Sequence, residues 1–351
     1  MYGRFMGERV SMATPIGRMA YAAGQAVRVG WYMGQYALAA RLQNAKPPEG
    51  APPGDTRAVL ASLGALLRRD WENIRDGVYR MPSDLLPDPR RLLRDAKLFF
   101  EDLPEVAKRR QEGGRGALMD ARAHPGLPRY YLQNFHFQTD GYLSDRSARL
   151  YDHQVEVLFG GGADAMRRQA LVPIARHLRD RPVRGLKLLD VASGTGRLPV
   201  MVKENWPRLD VTALDLSAPY LAEARRRLSP WPLARVVQGA AEDIPAADAS
   251  FDLVTCVYLL HELPPKVRAK AAAEMARVLK PGGLLVVVDS LVQGDDPAMD
   301  PLLELFPQAF HEPYYAGYIR EDFRPLFEAQ GLRAAEPDIA FMSRVVAFTK
   351  A

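Results

Sequence analysis

The sequence predicts an α/β protein. Its expected core is a doubly wound, mostly parallel seven-stranded sheet with an antiparallel hairpin at the C-terminal edge, behind an all-helical N-terminal extension. Three observations lead there. From Leu186 onward, short apolar runs alternate with helix-length runs, the pattern of a parallel sheet whose crossovers are helices. The chain then closes with two strand-like runs in succession, which suits an antiparallel edge. Before residue 125, apolar positions recur at helical spacing between proline- and glycine-rich breaks.

The 351 residues, 48% apolar and 25% charged, have ordinary globular composition and suffice for one large or two ordinary domains. The single cysteine, Cys256, excludes intrachain disulfides and cysteine metal sites and fits a reducing compartment. No signal-peptide pattern opens the chain and no uncharged run is long enough to span a bilayer, so a soluble, cytoplasmic protein is expected. The formal charge of +5 is uneven. Residues 1–125 carry 20 Lys/Arg against 14 Asp/Glu, the remainder 27 against 28. A nucleic-acid or anionic-membrane surface is one reading of that basic third, and arginines on exposed helix faces are the plainer one.

Taken in order, residues 12–45 read as a moderately apolar helix, and "KPPEGAPPGD" breaks it with four prolines and two glycines. Asp55 caps a second helix whose apolar positions run from Val59 to Val78. Asp88-Pro89 opens a third, with Leu92, Leu93, Ala96, Phe99 and Phe100 along it. "RYYLQNFHFQTDGYLS" is dense in aromatics, and residues 147–178 read as helix, glycine break and helix. The strands follow as "LKLLDVA", "LDVTALDLS", "ARVVQGAA", "FDLVTCVYLL" and "GGLLVVVDS". The helix "EDFRPLFEAQG" precedes the closing strands "LRAAEPDIAF" and "SRVVAFTK".

The first of those strands runs into "LLDVASGTGRLPV", a strand, tight turn and helix start that together expose unpaired backbone N–H groups. A dinucleotide fingerprint needs a third glycine three places after Gly196, and Pro199 stands there instead. Asp215 ends the second strand nineteen residues on, where an acidic side chain meets the hydroxyls of a ribose. A nucleoside-like ligand without a pyrophosphate satisfies both observations.

"LLDVASGTG", "ALDLS", "AEDIPAADASFDLV", "LLHEL" and "LKPGG", in that order, resemble the motifs of class I S-adenosylmethionine-dependent methyltransferases. The similarity covers residues from about 147 to 351 and is strongest to the ubiquinone/menaquinone-biosynthesis branch, whose "YD" element is matched by "SARLYDHQ". The resemblance implies S-adenosylmethionine as cofactor and no resident metal. It implies that Asp190 orients the methionine amino group, Ala192, Ser193, Gly194 and Gly196 pass the methionine along the backbone, and Asp215 holds the ribose beside Leu216. Ala241 and Glu242 fall in the base-binding loop, while Ala240 replaces an aspartate common in relatives. Tyr151 and Tyr258 are candidate neighbours of the sulfonium.

A methyl acceptor that must lose a proton needs a base. His261 and Glu262, just past the fourth strand, and His153, after the YD element, are the candidates. His136 with Phe135, and His311 with Tyr314, Tyr315 and Tyr318, lie in two aromatic-rich segments expected to wall an apolar acceptor cleft. The expected division is a helical region 1–125 with a proline-rich linker at 46–54, then a methyltransferase domain 126–351. Within that domain an aromatic-rich cap spans 126–180, the cofactor-binding half 186–289 and a substrate-lid insertion 290–320. The reading is methyl transfer to a hydrophobic small molecule, with O- or C-methylation of a quinone, lipid or aromatic polyketide-like acceptor. No nucleic-acid partner is expected, and the N-terminal helices could rest on a membrane surface. The alternatives are an RNA or protein methyltransferase docking through the basic third, or a non-catalytic cofactor-binding assembly factor.

Overall fold

The computed structural model describes residues 14–43, 55–86, 88–112 and 119–351. The proline-rich linker at 46–54 lies outside them. Three long helices come first: α1 (Pro15–Leu42), α2 (Thr56–Arg75) and α3 (Pro89–Gln111). Each begins where the sequence offers a cap. The Thr14 hydroxyl accepts from Gly17 N, Asp55 from Arg57 N and Ala58 N, and Asp88 from Arg90 N, so donors left open by the first turn are satisfied. Then come α4 (Asp145–Leu158), α5 (Ala163–Arg168) and α6 (Leu171–Leu178).

The alternating region follows in chain order as β1 (Lys187–Val191), α7 (Arg197–Asn205), β2 (Asp210–Asp215), α8 (Ala218–Leu228), β3 (Ala234–Gln238), β4 (Phe251–Val257), α9 (Pro265–Val278) and β5 (Leu279–Ser290). After three short helices, α10 (Asp300–Ala309), α11 (Tyr315–Tyr318) and α12 (Arg324–Glu328), the chain ends in β6 (Leu332–Ala334), β7 (Asp338–Ala340) and β8 (Ser343–Lys350). Strand order is β3-β2-β1-β4-β5-β8-β6, with β7 also on β8. The first five strands are parallel and β8 is antiparallel to its neighbours.

The sheet has eight strands rather than seven. "LRAAEPDIAF" divides into β6 and β7 around Glu336-Pro337, because proline has no N–H to give to a ladder. Both pieces pair with β8, which lies between β5 and β6, so the expected terminal hairpin is a three-strand arrangement with β8 inside it.

Side chains alternate between the two sheet faces, as the pleat requires. Leu189, Val191, Val254, Val287 and Cys256 pack toward α9 and the short C-terminal helices. Leu188, Leu253, Val286 and Val288 pack with Met166, Leu171 and Val202, and this second core also takes in Leu63, Leu66 and Ile74 of α2 and Tyr21 of α1. The helical third therefore covers one face of the sheet.

Buried charge fastens it there. Asp70 of α2 receives Arg168 Nε at 2.9 Å and Nη2 at 2.6 Å, with the Tyr21 and Tyr79 hydroxyls at 2.6 and 2.7 Å. Arg28 of α1 reaches Glu156 at 2.7 Å and Asp164 at 3.3 Å. Such groups tolerate burial because their partners replace water.

Candidate functional site

The chain runs β1, β2, β3 outward on one side and returns to place β4 on the other side of β1. At that reversal the loops after β1 and β4 part, leaving a crevice beyond the strands' C-terminal ends. A pocket lies there. Its floor comes from loop and strand-end residues: Ala192 and Gly194 after β1, Asp215 and Leu216 after β2, Gly239, Ala240 and Ala241 after β3, and Val257, Tyr258 and Leu259 after β4. Its wall is aromatic: Tyr130, Tyr131, Phe135, Tyr142, Tyr151 and Tyr220.

The turn after β1 is held in a form that few residues adopt. Gly194 and Gly196 have φ of 54° and 79°, and so does non-glycine Ala192 at 56°. A Cβ at Gly196 would stand 3.1 Å from that of Ala224, so only glycine lets α7 begin this close to α8. Asp215 locks the turn from the side. Its Oδ2 accepts from Gly194 N and its Oδ1 from Ser217 N, both at 2.8 Å, and burial pushes its pKa up. Beneath the turn, Asp190 is 2% exposed and accepts from the Thr255 hydroxyl at 2.6 Å. Burial lifts its carboxyl to about 7. Ser193 donates its N–H to Leu214 O, while its hydroxyl is buried without a partner.

The pocket lining fits a phosphate-free nucleoside. Among the described residues no lysine or arginine lines it, whereas Asp215 and Glu262 do. The Tyr131 hydroxyl is buried beside Ser217 without a well-formed hydrogen bond, a polar atom that a ligand can satisfy. Glu242 lies outside the lining but accepts from the Tyr130 hydroxyl at 2.5 Å, so it orders a wall residue from behind.

Beside the turn after β4, Glu262 meets the aromatic wall. It ends the 3-10 turn Leu260–Glu262 that follows β4, and Tyr142 donates to its Oε1 at 2.5 Å. Burial pushes its carboxyl up to about 7. His261 Nδ1 meets Asp289 Oδ1 at 2.5 Å, and Asp289 Oδ2 also accepts from Leu259 N and Leu260 N. Burial opposes the imidazolium, but the Asp289 carboxylate overcomes it and raises the pKa to about 9. His261 does not line the pocket. It stands behind Glu262, with Nε2 at 4.0 Å from that carboxylate.

Several other expected residues sit elsewhere. His153 is buried between Tyr32 of α1 and Phe99 of α3, with Nε2 at 2.8 Å from Gln35 Oε1, and is a core residue of the helical layer. Tyr315 and Tyr318 are core as well. Their hydroxyls are spent on Ser290, and they cover His261 with their rings rather than facing an acceptor. His311 binds Gln133 at 3.1 Å, and half-buried Tyr314 packs on the aromatic wall. Phe135, Tyr151 and Tyr258 do line the pocket. Tyr258 has φ of 56° and its hydroxyl is bonded to Ser343.

Tyr220 of α8 and Glu312 escaped sequence reasoning. Tyr220 stacks edge-on with both Tyr142 and Tyr151, at 5.5 and 5.3 Å between centroids. Nothing in its local pattern separates it from an ordinary helix residue. Glu312 had one signal, an acid inside the aromatic segment "FHEPYYAGY".

Residues 188–283 match the methyltransferase domain family. A ubiquinone/menaquinone biosynthesis C-methyltransferase of Methylobacterium nodulans is 33% identical over 189 residues, 52% of this chain and 71% of the relative. A demethylmenaquinone methyltransferase of Lactiplantibacillus plantarum is 32% identical over 203 residues, 54% of this chain and 82% of the relative. A malonyl-[acyl-carrier protein] O-methyltransferase of Xylella fastidiosa is 37% identical over 121 residues, 34% of this chain. The match spans only 39% of that last relative's length.

Proposed function

The chain belongs to the class I S-adenosylmethionine-dependent methyltransferases, in the ubiquinone/menaquinone-biosynthesis branch, and on that footing we propose that it methylates an oxygen or carbon of a hydrophobic small molecule. A quinone, lipid or aromatic polyketide fits the acceptor end. The observation behind this reading is the continuity of the cofactor turn with a wall of five tyrosines and Phe135, against which Glu262 sets a carboxylate.

When bound, the cofactor supplies an electrophilic methyl group on a cationic sulfur, and its product is S-adenosylhomocysteine. The chain's own residues do the rest. Asp215 and Tyr131 take the ribose hydroxyls, Asp190 answers the methionine ammonium from below the turn, and Leu216 and Ala241 flank the base. Tyr151 and Tyr258 offer aromatic faces to the sulfonium. The aromatic wall excludes water and aligns the acceptor, which is most of what an in-line displacement asks of a protein. Glu262 Oε2 accepts the acceptor's proton while Tyr142 holds Oε1, and protonated His261 steadies the carboxylate from behind.

No helix among the described residues is long and apolar enough to cross a membrane. α1 does expose Ile16, Met19, Met33, Leu38 and Leu42, which supports contact with a surface rich in lipid acceptors.

The test is a transfer assay with methyl-labelled cofactor and a crude cell extract, divided into organic, aqueous and macromolecular fractions. Label in the organic phase is the expected result. Label in RNA or protein would overturn the small-molecule reading. Binding of S-adenosylhomocysteine without any transfer would leave the assembly-factor alternative.

A further inference from the structure

Behind Glu262, three side chains from distant parts of the chain converge. His136 comes from the 3-10 turn Phe135–Phe137, Glu262 from the turn after β4, and Glu312 from the segment between α10 and α11. His136 Nε2 stands 3.1 Å from Glu312 Oε1 and 3.9 Å from Glu262 Oε1. One donor atom from each residue lies within 4.8 Å of the other two.

Glu312 is 3% exposed, and neither of its oxygens has a polar partner beyond the His136 ring nitrogen at 3.1 Å. A buried carboxylate with so little around it is costly unless a proton or a cation sits against it. A neutral His136 ring would offer such a cation its Nε2 lone pair. The backbone also strains to bring that ring there: His136 and Phe137 both have φ of 57°, and His136 N donates to His311 O at 3.2 Å, tying the turn to Glu312's own segment.

We propose that His136, Glu262 and Glu312 bind a divalent cation of the zinc or manganese class at the acceptor end of the pocket. A metal with ligand bonds of about 2.0–2.2 Å holds neighbouring donors about 3–3.5 Å apart; His136 and Glu312 stand 3.1 Å apart, and Glu262, at 3.9 Å from His136, would close in on binding. One imidazole nitrogen with two carboxylates suits zinc or manganese, whereas calcium and magnesium favour oxygen alone. Three protein ligands leave a coordination position open on the side where Glu262 lines the pocket. That position takes an oxygen of the acceptor, which narrows the acceptor class to molecules with a hydroxyl or enol oxygen. This last step rests on the small-molecule reading, whereas cation binding stands apart from it.

The experiment titrates the full chain, stripped with chelator and saturated with S-adenosylhomocysteine, with Mn²⁺ and separately with Zn²⁺ by calorimetry. One equivalent bound is expected, with affinity about tenfold or more weaker in Glu312→Gln and in His136→Gln. Retained S-adenosylhomocysteine binding certifies that each variant is folded. If either variant fails to fold, electron spin-echo spectra of the Mn²⁺-loaded wild type decide the matter through a coupling to a histidine nitrogen. Absence of stoichiometric binding, affinity unchanged in folded variants, or no nitrogen coupling would each overturn the site. Label in the organic phase without cation binding would sink the metal site alone. Cation binding with label in RNA would sink only the small-molecule reading.

Discussion

The Tyr142 hydroxyl donates to Glu262 Oε1 at 2.5 Å across 120 residues of chain. That bond joins the aromatic segment before α4 to the C-terminal edge of the sheet, so one wall of the pocket aims the carboxylate of the other. Replacing Glu262 with Gln keeps the shape and removes the charge. Turnover should fall about 100-fold or more, as expected for a lost proton acceptor, with S-adenosylhomocysteine affinity within about threefold of wild type. Single-turnover label transfer and calorimetry measure the two. Undiminished turnover would remove Glu262 from the chemistry.

Asp215 holds the glycine turn and lines the pocket, where the proposed reading has it take the ribose. Asp215→Asn keeps size but loses charge-assisted bonding, at a cost of about 1.5–3 kcal/mol, or roughly 10- to 150-fold in S-adenosylhomocysteine affinity. Unchanged calorimetric affinity would place the ribose elsewhere.

Asp190 should make cofactor binding pH-dependent. Its carboxyl is raised by burial to about 7, against an ordinary value of about 3.9. The folded chain therefore keeps that proton where the unfolded chain has lost it, and Asp190's contribution to stability declines as pH climbs from about 4 to 7. A bound ammonium favours the ionised form. Affinity for S-adenosylhomocysteine should thus rise from pH 5 to 7, by no more than about tenfold per unit, with proton release on binding near pH 6. Calorimetry in buffers of different ionisation enthalpy reads that release, and Asp190→Asn should abolish it. Proton uptake in the wild type would contradict the assignment.

Asp70 carries four hydrogen bonds from Arg168, Tyr21 and Tyr79 at zero exposure. Asp70→Ala strands the Arg168 charge and should cost about 3–5 kcal/mol by urea unfolding. A loss below about 1 kcal/mol would mean that the Asp70 network adds little to the attachment of the helical layer.

Much of this molecule is legible in the primary sequence because the signals are local. The caps at Asp55 and Asp88 act within three residues of themselves, the strands announce themselves by apolar runs, and the turn at Gly194 and Gly196 needs its glycines for its own backbone. From these followed the doubly wound sheet, the ligand turn at its edge, and the expectation of a nucleoside-like ligand without a pyrophosphate. Tertiary structure alone decided which aromatic and charged residues meet there. His153 follows the YD element yet turns into the helical layer, because α1 and α3 cover that side of α4. Tyr315 and Tyr318 look like acceptor contacts until Ser290 takes their hydroxyls. His136, Glu262 and Glu312 lie far apart along the chain, and no periodicity links them. They converge because the sheet brings β4's end beneath two loops, a relation set by long-range packing that no local stretch of sequence records.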